Sequence, residues 1–310
     1  MGKQFLGKAF TAYKTGGKMS LFLKTIQLSL LISLGLLSAC SKPAVNQDLN
    51  LSPLESSDNI IGGQEVASLK DPVARTTVVL YDTAAKAICT GSLLGNNIVL
   101  TAAHCIGKKP QTTLVVFSQN LKTASREQTR SVVGAVTHPY WAKRQNEEKD
   151  EGDIALIKYS GTTPAGYASA TLLPSLSYLQ NRSFVLLAGY GISNGTSKEG
   201  AGVLRQVMTV IANSKFSTTE IQLEQRNGHG ACHGDSGGPA FIVANGNYYL
   251  WGVTSRGYRD SEDNCSQFSI YTNALAYYQW IQTTARSLAL AGSVFNYAPS
   301  ERSFGQGTHY

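Results

Sequence analysis

Gly234-Asp235-Ser236-Gly237-Gly238-Pro239 is the stretch on which the reading of this chain turns. Glycines on both sides of the serine permit a tight turn with unusual backbone angles and let another molecule approach the main chain closely. Two neighbouring N–H groups in such a turn can converge on one oxygen and make an oxyanion hole. By itself the stretch would also fit a glycine-rich turn with no chemistry. It has company. Thr101-Ala102-Ala103-His104-Cys105 lies upstream, and Asp153-Ile154-Ala155-Leu156 lies between the two. The order His, Asp, Ser is one of three unrelated chain orders in which a Ser-His-Asp triad occurs.

With those segments in hand, the sequence resembles the trypsin/chymotrypsin family of serine proteases from Ile60 to about Leu290. The resemblance also rests on Ile60-Ile61-Gly62-Gly63, Cys89-Thr90-Gly91-Ser92-Leu93-Leu94, His138-Pro139, Gly189-Tyr190-Gly191 and Ser255-Arg256-Gly257. It implies an all-β fold of two antiparallel six-stranded β-barrels, with the triad in the cleft between them and a C-terminal α-helix. The sequence pattern agrees. Short runs such as TTVVLYD, TTLVVFS, DIALIKY, SFVLLAGY and NYYLWGVTS are separated by turn-forming residues, which argues for an all-β chain. No internal repeat is legible.

The resemblance implies hydrolysis of peptide bonds through an acyl-enzyme. A serine hydroxyl needs an adjacent base to act as a nucleophile, and His104 takes that part. Asp153 would fix the imidazole tautomer and stabilise the imidazolium. Ser255 resembles the family serine that hydrogen-bonds the triad aspartate. The N–H groups of Gly234 and Ser236 should form the oxyanion hole. The alternative is a non-catalytic binding module on the same fold; relatives of that kind usually lose a triad member, and this chain keeps all three.

Ile60 and Asp235 make a second constellation. In the resembled family, cleavage before the first residue of such an Ile-Ile-Gly-Gly run frees an ammonium group that buries against the aspartate preceding the nucleophile. A buried charge without a partner is costly, so the pair works as an activation switch. Asn59 precedes Ile60 where trypsin-activated members carry Arg or Lys, so the activating enzyme is not legible. By the same resemblance, Gly230 and Ala231 fall at the base of the specificity pocket, and Ser255, Gly257 and Ser269 line it. None offers a negative charge, and a cationic side chain there would lose water without gaining a partner. Neutral side chains are expected. Ser269 would shorten the pocket toward medium-sized residues. Arg256 stands where trypsins carry Trp and is expected to bear on residues upstream of the cut.

Of five cysteines, the resemblance pairs Cys89 with Cys105 and Cys232 with Cys265; the sequence alone leaves three pairings of these four open. Disulfides imply an oxidising compartment. Cys40 ends Leu37-Ser38-Ala39-Cys40, after an apolar run from Thr25 to Leu37 too short for a confident membrane span and suited to a signal h-region. The segment looks like a bacterial lipobox with Cys40 lipidated. Met19 gives a more usual signal length than Met1, and Ser41 fits export to the outer membrane. Residues 1–40 are therefore read as a signal sequence, 41–59 as a flexible tether or propeptide, 60–290 as the protease domain and 291–310 as a frayed tail. Residues 145–152 read as a solvated charged loop.

The formal charge of +7 is partly N-terminal: residues 1–59 hold six Lys/Arg against three Asp/Glu, leaving 21 against 17, or +4, for 60–310. Such a scattered excess is no nucleic-acid signature. His229, Cys232 and His233 have a spacing open to a metal, but the resemblance gives Cys232 to a disulfide. Ser118 to Lys122, where the family carries a calcium loop, has no acidic residue. No metal, cofactor or nucleic acid is expected. The expected partners are protein or peptide substrates, with a membrane met only through lipid on Cys40, and the chain is expected to be a monomer.

Overall fold

The computed structural model describes residues 60–144, 148–258 and 262–297. Six strands form a first closed barrel: β1 (Thr77–Asp82), β2 (Ala87–Gly95), β3 (Ile98–Thr101), β4 (Thr113–Val116), β5 (Thr129–Thr137) and β6 (Ala155–Tyr159). Antiparallel pairing runs β1-β2-β3-β6-β5-β4 and returns to β1. A second barrel follows from β7 (Phe184–Gly189), β8 (Arg205–Asn213), β9 (Glu220–Glu224), β10 (Pro239–Ala244), β11 (Asn247–Tyr258) and β12 (Phe268–Asn273). Its order is β7-β8-β9-β12-β11-β10 and back to β7. The two rings have the same topology, a repeat of architecture that leaves no trace in the residues. Closure removes the open sheet edges that would otherwise template aggregation.

Local sequence explains the strands. Thr77-Val78-Val79-Leu80 has three β-branched residues followed by leucine and is wholly buried, as suits a strand packed on both faces. Along β8, Arg205, Val207, Thr209 and Ile211 point inward while their neighbours are half-buried, the period of two expected of a strand with one covered face. Val185, Leu187, Val207, Leu223, Trp251 and Tyr271 fill the second barrel, each large apolar side chain contributing about 1.5–3 kcal/mol by burial. Asn273 Oδ1 accepts the Leu275 N–H over 3.1 Å and opens a 3-10 turn that leads into the helix Tyr278–Leu290. On that helix Ile281 and Leu288 are fully buried, and Trp280 and Ala285 pack at the margin of the core.

Two expectations need correction. The segment after Leu290 is not all frayed: Val294–Asn296 forms a parallel strand on Gly134–Val136 of β5. Gly134 permits it, since a Cβ there would stand 2.9 Å from Val294 O. Residues 148–152 are not simply solvated either, because Glu151 is buried and Asp150 is hydrogen-bonded to the 217–219 turn. Residues 1–59, with Met19, Cys40 and Asn59, and residues 298–310 lie outside the described residues.

Candidate active site

His104 sits in a 3-10 turn, Ala103–Cys105, just after β3, and Cys105 is bonded to Cys89 on β2. Asp153 lies two residues before β6, where Thr272 Oγ1 from the second barrel donates to its carbonyl over 2.9 Å. The Asp153 carboxylate is fully used. Oδ1 accepts the His104 backbone N–H at 2.9 Å, and Oδ2 accepts His104 Nδ1 at 2.8 Å and Ser255 Oγ at 2.6 Å. Burial pushes this carboxyl up, but the His104 charge and the three hydrogen bonds outweigh it and hold the group below its ordinary value. An ionised acceptor on Nδ1 places the proton there and leaves Nε2 as the basic nitrogen. His104 also packs near Trp141, with ring centroids 6.5 Å apart.

The Ser236 turn is strapped to the same place. Gly234 and Gly237 have φ of +95° and +79°, which glycine adopts without the strain of a Cβ. At Gly237 a Cβ would stand 2.0 Å from Thr101 Oγ1 and 3.0 Å from the Ala102 nitrogen, so the turn lies directly on the strand end that carries His104. Thr90 holds it from β2: its N–H donates to Ser236 O at 2.8 Å and its Oγ1 to Gly234 O at 2.9 Å. The N–H groups of Asp235, Gly237 and Gly238 donate to Cys232 O, Thr254 O and Asp235 O. Among the described residues those of Gly234 and Ser236 donate to nothing. That alternation leaves two donors for an incoming oxygen. Ser236 Oγ likewise makes no hydrogen bond among the described residues, to His104 or otherwise. Such contacts are often long in a free enzyme and tighten around substrate.

Asp235 is buried behind this turn. Its Oδ2 accepts from Cys232 N and its Oδ1 from Gly191 N, each at 2.8 Å. Burial pushes its carboxyl up to about 7, against the pull of those two N–H groups and of the Arg205 charge. Ile60 is buried in the second barrel's core at φ +40°, an outlying angle for a β-branched residue. The next residue, Ile61, forms an antiparallel bridge with Gly230, whose N–H donates to Ile61 O at 3.1 Å.

Gly230 is backed by a side chain that the sequence did not flag. A Cβ at Gly230 would stand 2.3 Å from the Gln225 amide carbon. Gln225 Oε1 accepts from Ala231 N at 2.9 Å, and its Nε2 donates to Cys265 O at 2.8 Å, beside the Cys232–Cys265 disulfide. Gly257 faces open space, and Ser269 is its cross-strand partner, with a buried hydroxyl. Asp263 points away, toward His233 Nε2 at 3.0 Å and Lys198 Nζ at 3.6 Å; Asp260 lies outside the described residues.

Arg256 departs from expectation. Its side chain is 16% exposed and turns inward as a bidentate partner of Glu220, at 2.7 and 3.0 Å, so it does not present itself to a substrate. The ligand atoms of Cys232 and His233 lie within 4.8 Å of one another and of Cys265, but both sulfurs are spent on their disulfide, and His229 is not part of that group. Sequence reasoning also missed Thr90 and Thr272, ordinary strand threonines whose hydroxyls are aimed only by the closed barrels.

Two closed six-stranded barrels with a buried Asp–His pair beside a glycine-flanked serine define a chymotrypsin-like serine peptidase. Comparison with known proteins agrees. A family model described as Trypsin matches residues 60–281. Chymotrypsin-like elastase family member 1 of Macaca fascicularis is 30% identical over 247 residues, 75% of this chain and 92% of that protein. The human protein of that name is 28% identical over 248 residues, 75% and 95% of the two chains. A chymotrypsin of Phaedon cochleariae is 29% identical over 257 residues, 78% and 88%. The chain belongs to the trypsin family of serine peptidases.

Proposed function

We propose that the protein is a serine endopeptidase in which Ser236 attacks the scissile carbonyl, His104 moves the proton and Asp153 orients the imidazole. The observation that carries this reading is the Asp153 carboxylate, which grips His104 through both its ring and its backbone. Attack moves the Ser236 Oγ proton to His104 Nε2, and the carbonyl oxygen becomes an anion between the Gly234 and Ser236 N–H groups. His104 then protonates the leaving amine. Water repeats the sequence on the ester and releases the acid and free Ser236. Asp153→Asn, which keeps the shape and removes the charge, should lower kcat by about 10⁴-fold. Near wild-type turnover in that variant would refute the assignment.

Specificity follows from the neutral base at Gly230, Ala231 and Gln225, with Ser255, Gly257 and Ser269 around it. The pocket takes neutral side chains of medium size. Hydrolysis of the Asn59–Ile60 bond would remove the unfavourable φ at Ile60 and supply an ammonium for Asp235, a carboxylate that burial otherwise drives toward its neutral form. The enzyme is thus made as a zymogen. Cys40 carries lipid that holds this precursor at the cell envelope, and activation, which cuts downstream of the lipid, releases a monomeric catalytic domain.

A further inference from the structure

Beside the Asp153 carboxylate lies a buried charged cluster that the triad does not require. Glu220 opens β9, Arg256 follows Ser255 on β11, and Glu151 belongs to the loop that enters β6 of the other barrel. Arg256 Nη1 and Nη2 donate to Glu220 Oε1 and Oε2 at 2.7 and 3.0 Å. Nη1 also lies 3.8 Å from Glu151 Oε2 and donates to Ser255 Oγ at 3.2 Å, while Nη2 donates to Glu148 O. Glu220 Oε2 in turn accepts the Asp150 N–H at 3.0 Å. Asp150 Oδ1 is itself held by Ser217 Oγ, Thr219 Oγ1 and Thr219 N at 2.6, 2.6 and 2.9 Å.

We infer that Arg256 is a positioning residue for the catalytic carboxylate, acting through Ser255 and through the clamped 148–153 loop. This rests on the triad reading above. A hydroxyl has one proton and two lone pairs. With a guanidinium donor at its oxygen, the Ser255 proton is turned toward the one acceptor opposite, Asp153 Oδ2 at 2.6 Å. Donation into the hydroxyl also polarises it, so it is a stronger donor to Asp153 than an unassisted serine. The same guanidinium reaches Glu148 O and Glu151 from β11, and so binds the Asp153 loop of the first barrel to the second. Ser255 and the loop therefore move together if Arg256 is lost.

The charge balance is specific. Around Arg256 stand Glu220 on β9, Asp150, Glu151 and Asp153 from the first barrel's loop, His104 across the cleft and Tyr277 from the turn before the C-terminal helix. Burial works against the Arg256 charge, but its bond to Glu220 and the Glu220, Glu151 and Asp153 charges raise its pKa further. Tyr277 is pushed up to about 12, by burial first and, against the pull of a hydrogen bond with Thr219, by the Glu220, Asp150 and Asp153 charges.

The deciding experiment compares wild type, Arg256→Lys and the double variant Arg256→Met/Glu220→Met on a short peptide substrate. The double variant removes the ion pair as a unit, which folded proteins usually tolerate, so it answers even if Arg256→Met alone fails to fold. Expected is a fall in kcat of about 10–100-fold with KM unchanged, as for a misplaced catalytic group, with Arg256→Lys between it and wild type. The low-field Nδ1–H proton resonance of His104 should shift in the double variant. Wild-type kcat in a folded double variant, or a change confined to KM, would overturn the proposal. Ser236→Ala is run alongside: hydrolysis surviving it overturns the triad reading itself, whereas hydrolysis lost in it with wild-type turnover in the Arg256 variants overturns only the role of Arg256.

Discussion

The Asp235 carboxylate occupies the space where Gly191 would carry a side chain. Gly191 N donates to Oδ1 at 2.8 Å, and a Cβ on Gly191 would stand 2.5 Å from Oδ2. At Gly189 the clearance is smaller still, 2.1 Å to Oδ1. The Gly189-Tyr190-Gly191 segment is therefore a socket for the residue preceding Ser236, and the turn bearing Ser236 depends on it.

Gly191→Ala should cost about 1–3 kcal/mol of stability, since the added methyl meets backbone and carboxylate with no room to yield. It should lose activity beyond that, because displacing Asp235 displaces the Gly234 and Ser236 N–H groups. Thermal melts and kcat/KM measured together test this. An unchanged melting temperature with unchanged kcat/KM would contradict the socket.

Asp235 also predicts a pH dependence for the uncleaved chain. Burial raises its folded pKa to about 7, above the ordinary 3.8 of an aspartate, so between those values the folded state holds a proton that the unfolded state has lost. Stability contributed by the protonated group is present below about 4 and is lost as pH rises to about 7, on the order of 4 kcal/mol in all. Denaturation of the uncleaved Ser236→Ala chain should show this slope, and adding Asp235→Asn should flatten it. A slope unaffected by Asp235→Asn would contradict the assignment.

In a peptide-library profile, the mature enzyme should cleave after neutral residues such as Leu, Met, Val, Tyr or Asn and poorly after Lys or Arg. The carrier is the uncharged Gln225 amide behind Gly230. A profile dominated by Lys and Arg would refute the pocket.

Cell fractionation with N-terminal sequencing tests activation and release together. Soluble active enzyme should begin at Ile60. Active enzyme beginning at Ile60 yet retained on membranes in high salt would contradict release, and active enzyme beginning at Cys40 would contradict activation by cleavage.

How much of this could be read from the residues depended on where the constraint lies. The Ser236, His104 and Asp153 segments were legible because their chemistry requires particular residues next to one another in sequence. Strands β1, β4, β6 and β7 showed as dense β-branched and apolar runs. Strand β9, Glu-Ile-Gln-Leu-Glu, did not: it is short and charged at both ends, and Glu220 is buried there with Arg256 from β11 as its partner. Strand β10 was masked by Pro239 closing a glycine turn, and β2 by the glycine in Cys-Thr-Gly-Ser-Leu-Leu. Gln225 was invisible for a similar reason. Its place behind Gly230 is set by the Cys232–Cys265 disulfide and by pairing of β9 with β12, contacts between residues far apart in sequence.

The central claim is that Ser236, activated by His104 and Asp153, is the nucleophile. Reaction of the mature enzyme with a serine-directed fluorophosphonate, followed by intact-mass and peptide mass spectrometry, tests it most directly. The account predicts one adduct per chain, located on Ser236, lost in both Ser236→Ala and His104→Ala while each variant remains folded. An adduct on another residue, or labelling and hydrolysis that persist within tenfold of wild type in folded Ser236→Ala, would contradict it.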